Sequence, residues 1–409
     1  MEVFVARQPI FDRDRGLYGY ELLYRSTQSR DEFDGAEDYS ATAQVISGIL
    51  LSIGLDQIVG GKKAFLNFSD RLLRDGLHLS LPADVAVIEI LETVRPDANL
   101  IALCRAVRDQ GYTLALDDFV GDPAFEPLTE LAHLIKVDIQ QTRKSEQQRL
   151  LRRYRPRGIA LLAEKVETQE EFEWARRAGY DYFQGYFFAR PVVVRGKQVP
   201  AAKINCLRLL SEMQAPELDF RRLEKLIEAD VALAYKLLRY VNSALFGRRA
   251  EIQSIQRALT IMGASEIRRW SALAAVPALA TDKPGELATL ALVRARFCER
   301  LMEITALARR NEAFLMGLFS LLDALLDCPL DQALGSVALG GGIRQVLLDA
   351  APENDTLRNI YRLTRCYENG DWDEVEDLAR GCGLKGSEVG AAYVEATLWA
   401  RQMLQAVSG

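Results

Sequence analysis

The chain predicts an α/β barrel of the (β/α)8 type followed by an all-α domain, and three observations carry that expectation. Across residues 1–190, short apolar runs alternate with amphipathic stretches, the pattern of a parallel sheet covered by helices. Nearly every run ends on a polar or charged side chain, which is how a closed barrel assembles a site on one rim. Beyond residue 200 the strand patterns stop and helical spacing takes over.

In chain order the runs are YGYELLYR (18–25), AFLNFS (64–69), VAVIEILE (85–92), TLALDDF (113–119), LIKVDI (134–139), IALLAEKVE (159–167) and YDYFQGYFF (180–188). AVIEI and ALLA are continuously apolar, as strands buried on both faces must be. Amphipathic helices are expected at Tyr39–Ile53, Ala98–Arg108, Glu146–Tyr154 and Gln169–Arg177. An open doubly wound sheet would gather its polar groups at one switch point. Their distribution over nearly every strand end favours the barrel.

The segment ARPVVVRGKQVP (189–200) has no helical period and divides a barrel over 1–192 from a helical domain over 193–409. In the second half, helices are expected at Val231–Val241, Ser254–Met262, Ala264–Val276, Glu286–Leu307, Leu357–Glu368, Asp371–Ala379 and Glu388–Ala406. AFLMGLFSLLDALL (313–326) is apolar on all sides and reads as one central core helix.

Composition narrows the function. The 409 residues are 49% hydrophobic and carry 51 basic against 57 acidic side chains, without the basic surplus of a general nucleic-acid binder. The six cysteines form no CxxC pair, so neither a disulfide scaffold nor structural zinc is expected. MEVFVARQPIF lacks the plan of a signal peptide, and no window reaches the ~20 apolar residues of a membrane span. The chain reads as cytoplasmic and free of membrane.

The strand ends carry Glu21, Asn67, Glu89, Asp117 with Asp118, Lys136, Glu164 and Gln184. Clustered carboxylates take up protons or bind cations, and an all-oxygen set without His or Cys favours a hard ion, Mg²⁺ or Mn²⁺. Two such ions sharing a carboxylate would suit phosphodiester hydrolysis. Lys136 would hold the attacking water or the developing charge, and Glu164 would take the proton. On spacing alone, the same groups serve equally as rim caps and salt bridges, and Asp117–Asp118 also suits a helix N-cap.

The order QPI (8–10), ELLYR (21–25), NFS (67–69), EILE (89–92), DDF (117–119), KVD (136–138), AEKVE (163–167) and QGYFFARP (184–191) resembles the EAL-domain cyclic-di-GMP phosphodiesterases. The resemblance implies a barrel that opens cyclic di-GMP to linear pGpG with two divalent cations. It implies Glu21, Asn67, Glu89 and Asp117 as first-metal ligands, with Asp117 and Asp118 serving the second. Lys136, Glu164 and Gln184 are then the catalytic set. Arg25, Gln8 and Pro9 would meet the substrate, Glu92 would anchor the loop after DDF, and that loop would support a homodimer. Three departures stand out: Glu-Leu-Leu at 21–23, Val120 where the family has Gly, and Lys165 in place of Gly beside Glu164. The runner-up reading is a receptor that binds the nucleotide without hydrolysing it.

DVALAYKLLRYVNSALFG (230–247) and EIQSIQRALTIMGASEIRRW (251–270) resemble the HDOD domain, a relative of HD metal phosphohydrolases. The chain's two histidines, His78 and His133, both lie in the first half, so an HD metal site in the second is excluded. The helical half is expected to be an interaction module for a protein partner. His78 and His133 read as structural, and Asn242, Ser243 and Gln256 as helix-terminal hydrogen-bonding groups.

Overall fold

The computed structural model describes residues 3–26, 54–190, 201–213, 215, 217–242, 252–335 and 339–408. The expected helix at 39–53, Ser243 and most of the expected linker at 189–200 lie outside the described residues. The chain divides into two compact units. One comprises Met1–Arg190 with Cys366–Glu376 and Lys385–Val394, and the other comprises Pro191–Arg365, Asp377–Leu384 and Glu395–Gly409.

In the first unit, strands β1 (Val3–Asp12), β2 (Leu17–Ser26), β3 (Lys63–Phe68), β4 (Ala86–Ile90), β5 (Thr113–Leu116), β6 (Leu134–Asp138), β7 (Ala160–Glu164) and β8 (Tyr182–Gln184) close into a barrel in chain order. β2 to β8 run parallel, but β1 runs antiparallel to both neighbours, which corrects the expectation of a wholly parallel sheet. The cause is the link between β1 and β2. Asp12 Oδ1 accepts from the N–H groups of Asp14 and Gly16 at 2.9 and 2.7 Å, closing a turn far too short for a crossover helix.

One apolar layer fixes the site. Ile10, Phe65, Val87, Ala115, Leu134 and Leu162 pack together inside the barrel, with Tyr18 and Tyr182 against them. Side chains alternate along a strand, so the residues two positions further on return to the interior at the C-terminal rim. From Phe65, Val87, Ala115, Leu134, Leu162 and Tyr182 that step reaches Asn67, Glu89, Asp117, Lys136, Glu164 and Gln184. On the reversed β1 the step runs backward, from Ile10 to Gln8.

The upper reach of β1 is covered within the same unit by the C-terminal segments. The Tyr367 hydroxyl accepts from the Val5 N–H at 3.1 Å and donates to the Val5 carbonyl at 3.0 Å. Phe4 stacks on Trp372 with ring centroids 5.6 Å apart and meets Tyr367 edge-on.

The second unit is helical, with Ala201–Glu212, Phe220–Glu228, Val231–Val241, Ile255–Leu279, Gly285–Thr305 and Arg310–Phe319 as its principal elements. The helices expected at 254–262 and 264–276 fall within Ile255–Leu279 as two segments that meet at Gly263, whose backbone is non-helical with φ of 72° and ψ of 167°. The expected helix over 313–326 instead divides into Arg310–Phe319 and Leu322–Leu326. Ser320 interrupts it, donating to the Gly317 carbonyl at 2.7 Å and accepting from Arg294 Nη1 at 3.1 Å. Asn242 bonds both backbone groups of Ile252 at 2.8 Å, the helix-terminal role expected of it. Among the described residues no helix is long and apolar enough to cross a membrane.

Candidate active site

Lys136 is fully buried at the barrel mouth, and its Nζ touches four carboxylates: Asp117 Oδ1 at 2.8 Å, Glu89 Oε1 at 2.9 Å, Glu164 Oε1 at 3.0 Å and Glu21 Oε2 at 3.1 Å. An ammonium has three N–H donors. It cannot direct a hydrogen bond to all four partners, nor can its single charge balance theirs. The shortfall shifts the acidity of the groups in the cluster. Burial, with repulsion from Glu21 and Asp117, drives the Glu89 carboxyl well above the usual range against the pull of Lys136. Burial likewise pushes Glu164 up to about 8. Lys136 is itself desolvated, yet the surrounding carboxylates hold its ammonium well above the usual lysine range.

Glu21 is the best served of the acids. Asn67 Nδ2 donates to its Oε1 at 3.1 Å, and Gln184 Nε2 donates to its Oε2 at 2.7 Å. Burial alone would raise this carboxyl, but Lys136 and these bonds together hold it below the usual range. Gln184 Nε2 also donates to Gln8 Oε1 at 3.0 Å, which carries the network onto β1. The Tyr24 hydroxyl steadies Asn67 by donating to its backbone carbonyl at 2.5 Å.

Gln184 is aimed by the residue after it. Gly185 has φ of 141°, and a Cβ there would lie 2.1 Å from the Val166 carbonyl oxygen, so only glycine lets β8 pass the β7 loop. β5 and β7 leave the barrel through Asp118 and Lys165, both in left-handed backbone with φ of 40° and 55°. Burial and repulsion from Asp117 raise the Asp118 carboxyl. Val120 is exposed and does not take a positive φ; Gly121 does, at 85°, one residue further on.

The remaining expected residues lie around this core. Pro9 pairs opposite Tyr20 and falls on the other face of β1 from Gln8. Arg25 stands on β2 opposite Phe4, and its side chain is outside the described residues. Glu92 is exposed just past β4, where its charge bears on Asp118. The sequence reading assigned nothing to Asp138. That carboxylate is buried on the rim, takes the N–H groups of Gln140 and Gln141 on Oδ1, and pairs through Oδ2 with Lys165 Nζ at 2.5 Å. Its signal was the i, i+2 spacing from Lys136 in KVD. His78 is buried edge-on to Tyr112, and His133 Nδ1 accepts from the Leu114 N–H, as structural histidines would.

As they stand, no three His, Cys, Asp or Glu side chains among the described residues converge into a metal cage. The donor set nonetheless suits a hard cation. Asn67 Oδ1, Glu89 Oε2, Glu164 Oε2 and Gln184 Oε1 are buried oxygens without a hydrogen-bond donor, and the carboxylates outnumber the ammonium among them.

Comparison with known proteins gives the family of the chain. The EAL-domain family model matches residues 47–191, and the HDOD-domain model matches 199–327. Over 403 residues, 98% of this chain and 93% of the relative, the sequence is 35% identical to the cyclic di-GMP phosphodiesterase CdgJ of Vibrio cholerae. The chain belongs to the EAL–HDOD family. It is also 32% identical to the uncharacterized protein YuxH of Bacillus subtilis, covering 99% of this chain and 100% of that one. Among solved structures, a calcium/cyclic-di-GMP complex of BlrP1 from Klebsiella pneumoniae shares 24% identity, with a TM-score of 0.39 over 47% of this chain and 56% of the other. The EAL match begins downstream of Gln8, Glu21 and Arg25. In this EAL–HDOD chain it is strand register that brings Glu21 to the site.

Proposed function

We propose that the barrel mouth hydrolyses cyclic di-GMP to pGpG with the help of divalent cations, Mg²⁺ or Mn²⁺, and that the helical unit relays the liganded state to a protein partner. The observation that carries this reading is the ring of four carboxylates, three of them buried, around one buried lysine, with further buried oxygens left free of donors. Glu21, Asn67, Glu89 and Asp117 would hold one ion, and Asp117 with Asp118 a second. Bound there, such an ion neutralises phosphate charge and makes a water acidic enough to attack at neutral pH.

The chain's own groups supply the rest. In its ionised form Glu164 takes the proton of the attacking water, and Lys136 beside it stabilises charge on the phosphate oxygens. Water adds to phosphorus, the P–O3′ bond breaks, and the proton that Glu164 took from the water passes to the departing 3′ oxygen, giving the linear dinucleotide. Gln8 and Gln184 keep Glu21 oriented as a ligand. Arg25 and Gln8 are the side chains offered to the nucleotide, and a homodimer is the assembly offered for the intact protein.

Chromatographic turnover of cyclic di-GMP by the full chain, with Mg²⁺ and then Mn²⁺, tests the proposal against Glu164→Gln as the blank. Formation of pGpG above the blank supports it. Nucleotide binding without product would make the protein a receptor.

A further inference from the structure

Resting on the reading above, we propose that Tyr367 and Trp372, which lie beyond both family matches, are positioning residues for nucleotide binding: they fix the β1–β2 ribbon past the barrel rim and so set the place of Arg25.

The barrel sheet supports only the base of this ribbon. β8 pairs with β1 over Ile10–Asp12, and β3 pairs with β2 over Gly19–Glu21. Beyond those pairs, among the described residues, Val3–Arg7 and Leu22–Ser26 pair with each other alone. A two-stranded ribbon holds its shape poorly unless it packs against something else. Glu21 and Gln8 sit at the base, tied to Asn67 and Gln184. Arg25 stands four residues past Glu21 on β2, about 13 Å along the strand.

The C-terminal segment Cys366–Glu376, part of the same compact unit, supplies the missing packing. Where β8 has ended, the Tyr367 hydroxyl takes up both the N–H and the carbonyl of Val5, at 3.1 and 3.0 Å, and closes the open edge of β1. Phe4, Tyr367 and Trp372 form a closed set of three rings with centroids 5.2, 5.6 and 6.0 Å apart, and Tyr393 packs on Tyr367 at 4.7 Å. A Cβ on Gly370 would lie 3.1 Å from Leu23 Cδ1, so the turn before Trp372 lies against β2 as well.

Register brings this contact to bear on the site. Paired residues of an antiparallel ribbon show their side chains on one face, and alternate residues return to it. Gln8 is opposite Glu21 and Ala6 is opposite Leu23, so Phe4, Ala6, Gln8, Glu21 and Leu23 share the face that carries the site. Phe4, the residue stacked on Trp372, is itself opposite Arg25. The other face has separate ties, from Arg7 Nη1 to the Ile58 carbonyl at 2.8 Å and from the Tyr24 hydroxyl to the Asn67 carbonyl at 2.5 Å. Glu21 keeps its place through the barrel, whereas the backbone at Arg25 depends on the three rings opposite it. The clamp therefore acts on capture of the nucleotide.

Calorimetric titration of the full chain with cyclic di-GMP and Mg²⁺, with Glu164→Gln as the parent protein, reads Kd without turnover. Adding Tyr367→Phe or Trp372→Ala is expected to raise Kd on the order of tenfold. Trp372→Phe, which keeps a ring against Phe4, should hold the parent value. Arg25→Ala should also raise Kd, and Tyr367→Phe placed on top of it should raise it little further, because residues that act as one unit are not additive. Loss of folded protein alone would lower the binding stoichiometry and leave Kd where it was. An unchanged Kd in Tyr367→Phe and Trp372→Ala, or a full further rise on the Arg25→Ala background, would overturn the inference and leave the proposed function standing. No binding by wild type or parent would overturn the nucleotide reading beneath it.

Discussion

Lys136 Nζ lies 2.9 Å from Glu89 Oε1, and no other donor among the described residues reaches either oxygen of Glu89. Among the described residues Glu89 therefore depends on Lys136 for its counter-charge. Replacing Lys136 with methionine leaves the buried carboxylates facing one another without a cation. The variant should lose about 3–5 kcal/mol of stability, the usual cost of removing one partner from a buried ionic cluster. Denaturant melts of both proteins with and without Mg²⁺ check this. An unchanged midpoint in the metal-free variant would show that the carboxylates had not depended on the lysine.

Glu164 sets a pH dependence whose sign follows from its burial. Its carboxyl titrates at about 8 in the folded protein against 4.5 for the ordinary side chain, so the folded state binds this proton more tightly. The stability it contributes is full below pH 4.5 and is lost as pH rises through 8. Metal-free wild type should therefore lose stability over that window relative to Glu164→Gln, by something on the order of a few kcal/mol. Parallel stability–pH curves for the two proteins would contradict the assignment.

Gly185→Ala tests the packing that aims Gln184. The new Cβ would lie 2.1 Å from the Val166 carbonyl oxygen and 2.6 Å from its nitrogen, and backbone cannot swing aside as a side chain can. A loss of about 3 kcal/mol is expected, together with weaker nucleotide binding as Gln184 shifts. Gly158→Ala is the control. It also has positive φ, but no atom lies within 4 Å of its new Cβ, so it should cost only about 1 kcal/mol. Equal losses in the two variants would mean that the close approach to Val166 is relieved elsewhere.

Tyr367→Phe removes one oxygen and leaves both backbone groups of Val5 short of a buried partner. The expected cost is about 1–3 kcal/mol. Amide hydrogen exchange at Val5 should quicken at the same time. Unchanged exchange would show that the strand edge is protected by something other than the phenol.

Much of the barrel was legible because its two signals are local. The apolar layer from Phe65 to Leu162 and the polar group two residues beyond each member are written in single strands, and a period of two needs no partner to be read. β1 escaped because its direction depends on the short turn at Asp12–Gly16 rather than on its own alternation. The tilt of Lys165 toward Asp138 was equally hidden, since a left-handed φ at lysine has no compositional mark. Val120 warned of a changed loop, and the backbone answers by moving the positive φ to Gly121. The helical pattern around Tyr367 told that one face is buried, but not that Val5 lies beneath it.

The pairing of Val5 with Tyr367 spans 362 positions of the chain. A ribosome releases the strand long before it releases the phenol that closes its edge. Until residue 367 is made, Phe4 and the Val5 amide are displayed without these neighbours, an open template for unwanted strand pairing. Sealing of this strand is thereby tied to synthesis of Tyr367 and Trp372. A message cut short anywhere before residue 367 yields a β1 left unsealed, and so a natural substrate for the cell's chaperones and proteases.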